Sequence, residues 1–178
     1  MRKIIYHVAT TLDGFIADER GGIGAFLAEG DHVPAYMEHL QTYDTVIMGR
    51  KTYEFGYAYG LEAGQPAYPQ MQHYIFSRSL HFDEPHEQVH IVSDQWEEKL
   101  TELKNEAGSP IYLCGGGAFA EYVLQQGLID EVWLKLNPAV IGKGIHLFGN
   151  FAGQLDLSLL DTTVYESGVL LLKYGLGK

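Results

Sequence analysis

Ile111-Tyr112-Leu113-Cys114-Gly115-Gly116-Gly117-Ala118-Phe119-Ala120-Glu121-Tyr122-Val123-Leu124-Gln125-Gln126-Gly127 is the stretch whose reading decides the fold. Ile111 to Cys114 is a short apolar run with the look of a strand, the three glycines form a turn, and Ala118 to Gln126 reads as a helix stopped by Gly127. A strand that turns through glycine straight into a helix is half of a strand-helix-strand unit, and the same alternation continues on both sides. Upstream, Val89 to Val92 is a strand. Asp94 is an N-cap candidate, and Trp96, Leu100 and Leu103 repeat at helical spacing to about Ala107. His73 to Phe76 is another strand, and residues 56 to 72 read as a loop without regular structure. Thr45 to Met48 is a buried strand that turns at Gly49 into a short helix. Val33 to Tyr43 is helical, with Pro34 acceptable in its first turn. Ile4 to Ala9 is a strand that its apolar run places in the centre of the sheet. Downstream, Glu131 to Leu136, Leu155 to Val164 and Val169 to Tyr174 read as strands, with a glycine turn at Gly142 to Gly144. The pattern predicts one α/β domain spanning residues 1–178, with a mostly parallel sheet and antiparallel strands at its C-terminal edge.

The 178 residues suit one domain with one substantial core. A net charge of −11 argues against nucleic acid on a broad basic face, so any anion site must be small and built from a few placed cations. Cys114 is the single cysteine, which excludes an intramolecular disulfide and a cysteine-based metal cage. The N-terminus reads without a signal peptide and no run of about 18 apolar residues occurs. The expectation is a soluble cytoplasmic protein with no membrane partner.

In an open α/β sheet the ligand crevice lies beyond the carboxyl ends of the strands. Three strand ends stand out. After the Thr45 strand comes Gly49-Arg50-Lys51-Thr52, where glycine lets backbone approach a ligand and the next amides open a helix beside two cations and a hydroxyl, a pattern suited to phosphate. The bland alternative is a solvated turn with an incidental basic pair. After the His73 strand comes Ser77-Arg78, and a guanidinium grips phosphate with two hydrogen bonds. A surface ion pair is the alternative for Arg78. After the Ile111 strand, Gly115-Gly116-Gly117-Ala118-Phe119-Ala120 formally satisfies G-x-G-x-x-[GA]. The acidic residue of a standard Rossmann domain is not matched, because Asp130 and Glu131 arrive too early, and the motif lies far from the N-terminus. What survives is the physical point that glycines before a helix let a diphosphate rest on bare amides.

Other chemistry is weaker. His86 and His90 are four apart, but Pro85 and the β-rich residues around His90 argue against one helical face, so no metal is expected. Cys114 precedes a helix, yet reads first as a small apolar packer. No Gly-x-Ser-x-Gly occurs. The Tyr and Phe residues between 53 and 76 are core or lid, with an aromatic pocket wall as the alternative. Among the acids, Asp13 sits in a turn its side chain can cap. Glu29 and Asp31 lie just before the first helix, where a carboxylate serves as a cap. Aimed into the crevice instead, either would hold or protonate a nitrogen heterocycle, and they are the two candidate catalytic residues.

The segments Ala9 to Ala17, Val46 to Glu54, Phe76-Ser77-Arg78, Leu113 to Gly117 and Gly127 to Glu131, with Asn137-Pro138 and Gly142-Lys143-Gly144, occur in an order that resembles the dihydrofolate reductase-like superfamily. The likeness is greater to its branch resembling the C-terminal reductase domain of the bacterial riboflavin-biosynthesis deaminase-reductase. The resemblance implies a three-layer fold, an NADPH site and often a homodimer. By it, Ala9 and Ile16 would lie near the nicotinamide, and Gly49, Arg50, Lys51 and Thr52 would meet phosphates. Ser77 and Arg78 would hold the adenosine 2′-phosphate. Gly115, Gly116, Gly117 and Ala118 would approach the diphosphate, where the family often has a cis Gly-Gly bond. The chain also departs from the pattern. Dihydrofolate reductases carry an acid within the first helix where this chain reads Val33-Pro34-Ala35, and a tyrosine three residues after the glycines where it has Ala120. The closer branch often has a tryptophan where Gly24-Ala25-Phe26 stands. The resulting expectation is a reductase passing hydride from NADPH to a small conjugated heterocycle, pterin-like or pyrimidine-like. The alternative is a binding module that keeps the nucleotide crevice without turnover.

Overall fold

A computed structural model describes residues 1–177. The strands are β1 (Ile4–Thr10), β2 (Phe15–Ala17), β3 (Thr45–Gly49), β4 (Gln72–Phe76), β5 (Val89–Val92), β6 (Ile111–Gly115), β7 (Glu131–Leu136), β8 (Ile145–His146), β9 (Leu157–Val164) and β10 (Leu170–Leu176). The helices are α1 (His32–Leu40), α2 (Arg50–Phe55), α3 (Trp96–Asn105) and α4 (Gly117–Gln125). Eight strands form one sheet in the order β5-β4-β3-β6-β1-β7-β10-β9, and β2 with β8 makes a separate ribbon. From β5 to β7 all neighbours pair parallel, while β10 and β9 run antiparallel at the C-terminal edge, as the sequence predicts.

Helices cover both faces, which is why the central strands carry apolar residues at successive positions. Ile4, Ile47 and Leu113 point into a core closed by α3 and α4 through Leu100, Leu103, Phe119 and Val123. Their neighbours Ile5, Val46 and Tyr112 point into a second core with Leu40 of α1 and Tyr53 of α2. At the amino ends of the strands the charges are paired. Arg2 is bound to Asp44, Lys3 to Glu131 at 2.6 Å, and buried Lys104 donates to the Leu128 carbonyl at 2.9 Å and to the Asp130 carboxylate. An ion taken from water needs such partners.

Local expectations needed four changes. Helix α1 stops at Leu40 rather than Tyr43, because the Tyr43 ring leaves the helix to stack on Tyr112 at 5.2 Å. Asp94 is not the cap of α3; Gln95 takes that place with left-handed φ of 48° and no side-chain cap, and Glu97 and Glu98 supply the favourable charge in the first turn. The loop of residues 56 to 72 begins with a 3₁₀ turn at Gly56–Tyr59. The strand β8 lies just past the predicted glycine turn and exists because β2 pairs with it, Phe15 opposite His146.

Candidate functional site

The parallel strands end level with one another. Gly49 is in register with Phe76, Phe76 with Val92, and Met48 with Gly115, so the three singled-out tips stand side by side on β4, β3 and β6. The spacing is close enough that a Cβ added to Gly116 would sit 3.1 Å from Thr52 Oγ1, and one added to Gly49 would sit 3.2 Å from Phe119 Cβ. The Gly115–Gly116 peptide is cis, and Gly115 has φ of 131°. The N-cap residues of α2 and α4 are glycines without side-chain caps, Gly49 and Gly116, leaving the first backbone donors of both helices to a ligand or water.

Around those amides stand the cations. Lys51 is exposed, and Arg50 is exposed with a weak 3.4 Å contact to Glu54. Ser77 is buried, its Oγ accepting the Ser79 and Leu80 amides at 3.2 and 3.0 Å, and this turn presents Arg78 outward with its guanidinium 5.8 Å from the Trp96 ring centre. Ala118 lies exposed at the start of α4. The cradle of bare amides and exposed cations fits a dinucleotide diphosphate with a further phosphate at Arg78.

Ala9 and Ile16, half-buried, stand at the end of β1 and in β2. The segment joining them is clamped to the far loop: Asp13 accepts the Ile141 and Gly142 amides at 3.1 and 2.7 Å, and the Leu12 amide donates to the Ala139 carbonyl at 2.8 Å. Gly117 backs onto the same wall, where an added Cβ would lie 2.4 Å from the His146 carbonyl oxygen. A side chain at that position would push α4 off the ribbon.

The two candidate acids are placed differently from the crevice role. Asp31 starts α1, but its carboxylate accepts the Glu166 and Ser167 amides at 2.7 and 3.1 Å, tying the helix to the β9–β10 turn. Partial desolvation opposes ionisation, yet the Glu166 and Ser167 amides hold its carboxyl below the usual range. A carboxylate so occupied holds its charge and makes a poor proton donor. Glu29 is exposed in the preceding loop. Beside them, His32 reaches Ser167 Oγ at 2.9 Å and the Leu27 carbonyl at 3.1 Å, and Asn137 Oδ1 accepts the Leu27 amide at 3.0 Å.

A second group, which sequence reading did not single out as a site, lies under α1. Tyr36 and Tyr112 share a hydrogen bond at 2.9 Å, and Tyr68 meets Cys114 Sγ at 3.6 Å. Lys135 Nζ stands 3.2 Å from the centre of the Tyr36 ring. Tyr36, Tyr68, Cys114 and Lys135 are half-buried around the buried Tyr112. Burial pushes the Tyr36 and Tyr112 phenols and the Cys114 thiol up, and the neighbouring Cys114 does so for Tyr68. Burial pushes the Lys135 ammonium down to about 8. The available signal was a lysine inside the apolar strand Glu131 to Leu136, on the same alternating face as Trp133. His86 and His90, by contrast, serve local structure: His86 Nδ1 accepts the Gln88 amide at 3.2 Å and His90 stacks on Tyr74.

A family profile described as the RibD C-terminal domain matches residues 2–171. The uncharacterized protein YwjB of Bacillus subtilis is 33% identical over 175 residues, covering 96% of each chain. A putative riboflavin biosynthesis protein from Shewanella sp. PV-4 superposes with a TM-score of 0.82 at 22% identity, covering 100% of both chains. Dihydrofolate reductase from Enterococcus faecalis, in complex with NADP(H), superposes at 0.69 with 14% identity, covering 99% of this chain and 97% of that one. The latter two likenesses establish a shared fold.

Proposed function

The chain belongs to the RibD C-terminal domain family, and from that premise we propose that it is a reductase that takes hydride from NADPH and passes it to a small conjugated heterocycle, pterin-like or pyrimidine-like. The observation that carries the reading is the closeness of the β3 and β6 tips, where Thr52 and Gly116 nearly touch and two uncapped helix starts open beside Arg50, Lys51 and Arg78. In a chain of net charge −11 this local gathering of donors works against the global field, which favours a specific anion over a general one. NADP(H) bound to the dihydrofolate reductase of like fold supports the same cofactor here.

The bound cofactor supplies the hydride. The protein's part is to fix its two ends and keep the acceptor in line. Gly115, Gly116 and Gly117 admit the diphosphate to backbone amides, and Arg50, Lys51 and Thr52 offer further donors to it. Arg78, held near Trp96, discriminates NADPH from NADH through the extra phosphate. Ala9 and the clamped Ile16 segment would flank the ring end. The reading includes a cytoplasmic homodimer, since edge strand β9 exposes Leu157, Leu159, Leu160 and Val164 by 41, 59, 55 and 73%, a surface a second copy would cover.

Titration of NADPH and NADH by fluorescence tests the cofactor reading. Saturable NADPH binding should exceed NADH binding, and Arg78→Ala should erase roughly tenfold of that preference, the scale of one charge-assisted hydrogen bond. Absence of NADPH binding refutes the proposal. Steady NADPH oxidation with a member of a pterin, flavin and aminouracil panel separates a reductase from a silent binding module.

A further inference from the structure

Resting on the reductase reading, we propose that the hydride acceptor binds in the tyrosine-lined recess under α1, with a carbonyl or ring-nitrogen atom against Lys135, and that Lys135 supplies the proton that completes its reduction. The acids before α1 are spent or turned to solvent, and α1 itself has Val33, Pro34 and Ala35 in its first turn. A group able to give a proton must therefore come from another element.

Lys135 has the right position. It is in register with Ala9 on β1, and its side chain shares that strand's α1-covered face with Tyr36 below the ammonium. It forms no ion pair among the described residues, and its ammonium rests on the Tyr36 ring as a cation–π contact. A buried structural lysine in this chain looks different: Lys104 has both a carbonyl and a carboxylate.

The groups facing Lys135 are otherwise neutral or cationic. Beside it are Tyr36 of α1, His7 of β1 and Cys114 of β6; around these, His39 packs on His7, Tyr112 shares a hydrogen bond with Tyr36, and Tyr68 meets Cys114. On β10, Lys173 is 3.1 Å from Asp161, and on β7 itself Glu131 is held by Lys3 and by Trp133 Nε1 at 2.8 Å. Burial keeps His7 and His39 neutral and the phenols protonated. The cluster thus sets aromatic rings, phenol hydroxyls and one ammonium without an ion pair side by side, groups that a planar oxo-heterocycle can meet. That suits an uncharged oxo-heterocycle which becomes anionic as it is reduced.

The step balances. The acceptor's electrophilic carbon forms a C–H bond with the hydride of reduced nicotinamide, and the π pair of its C=N or conjugated C=C–C=O moves onto nitrogen or oxygen. That atom takes H⁺ from Lys135 Nζ, and the resulting amine regains a proton from water. Because the ammonium is pushed down to about 8, it is charged at neutral pH and close enough to neutrality to release its proton.

The test uses the full chain with NADPH and 1,3-dimethyllumazine, a fluorescent pteridinedione with no proton of its own to lose. The wild-type NADPH complex should bind this probe, and its affinity should fall as pH rises through about 8. Lys135→Met should weaken the probe at least tenfold and flatten the pH profile, Lys135→Arg should recover most of the affinity at neutral pH, and NADPH affinity should stay within twofold in both. Unchanged probe affinity in Lys135→Met, a flat wild-type profile, or a wild-type NADPH complex that does not bind the probe overturns this inference while leaving the cofactor reading standing. Failure of NADPH to bind the wild type removes both.

Discussion

The two faces of the central sheet are built from different chemistry. The face under α3 and α4 is packed with Ile4, Ile47, Leu100, Leu103, Leu113, Val123 and Val132, relieved chiefly by aromatic rings. The face under α1 and α2 carries Tyr36, Tyr43, Tyr53, Tyr68 and Tyr112 with Cys114, and His7 and Lys135 share its environment. An aliphatic face gains stability from area removed from water and asks for no partners. A phenol-rich face must satisfy each hydroxyl, and does so through pairs such as Tyr36–Tyr112 and Tyr53 to the Gln65 carbonyl at 2.7 Å. On the proposed reading, one side of the sheet contributes chiefly stability, the other adds recognition to its own core, and the glycine-bearing strand tips lie on their shared edge.

Neighbouring residues of β6 put that division to its strongest test. Leu113→Ala should cost about 2–5 kcal/mol in urea unfolding, the range for a buried leucine, while NADPH and dimethyllumazine affinities stay near wild type. Tyr112→Phe, one residue away and facing the other side, should cost about 1 kcal/mol for its hydroxyl and shift the balance to a larger loss of probe affinity. Equal losses of stability and binding in both variants would erase the distinction.

Acid sharpens the contrast next. His73, fully buried on the tyrosine side, accepts the Tyr68 amide at 3.1 Å through Nε2 and donates from Nδ1 to the Met71 carbonyl at 3.0 Å, so it is held as the neutral ring. Burial pushes it down to about 4 against an ordinary 6.5. The unfolded chain therefore takes up a proton first as pH falls, and this contribution to stability is complete above 6.5 and lost progressively between 6.5 and 4. The difference amounts to about 3 kcal/mol at 1.36 per pKa unit. His73→Gln should flatten that segment of a stability-against-pH curve, and an unaltered slope would show that the acid sensitivity lies elsewhere.

The smallest expected effect concerns the edge of the tyrosine side. Asp31 has its carboxyl held down by the Glu166 and Ser167 amides against the opposing effect of desolvation, so its contribution is present above the unfolded value of 3.8 and lost as pH falls through the lower folded value. Asp31→Asn should lower Tm slightly at neutral pH, with the difference from wild type vanishing in strong acid, and should leave turnover intact if the carboxylate only fastens the turn. A turnover loss far beyond the change in Tm would return Asp31 to the chemistry.

Much of the fold was readable residue by residue. Short apolar runs such as Ile111 to Cys114, the glycines that follow them and the helical spacing of Trp96, Leu100 and Leu103 are set by neighbours in the chain, and the strands at 45–49, 72–76 and 111–115 were found within a residue. The pairing of β8 was missed because it depends on β2, more than a hundred residues away, and nothing in the structure explains why Gln95 rather than Asp94 starts α3. The glycine- and cation-bearing tips were legible for the same local reason, since glycine, arginine and serine directly after a strand announce their position. The recess under α1 was not. Tyr36, Tyr68, Tyr112 and Lys135 come from four separate elements, and Asp31 had to meet residues 166 and 167 before its part could be known.

Backbone periodicity and turn chemistry are short-range, so the order of residues was enough to establish an α/β sheet with glycines and cations at its strand ends. The gathering of Lys135, Tyr36 and Tyr112 depends on β7 lying beside β1, β1 beside β6, and α1 lying across them. Those placements arise from burial and long-range pairing, which bring together side chains that no local pattern connects.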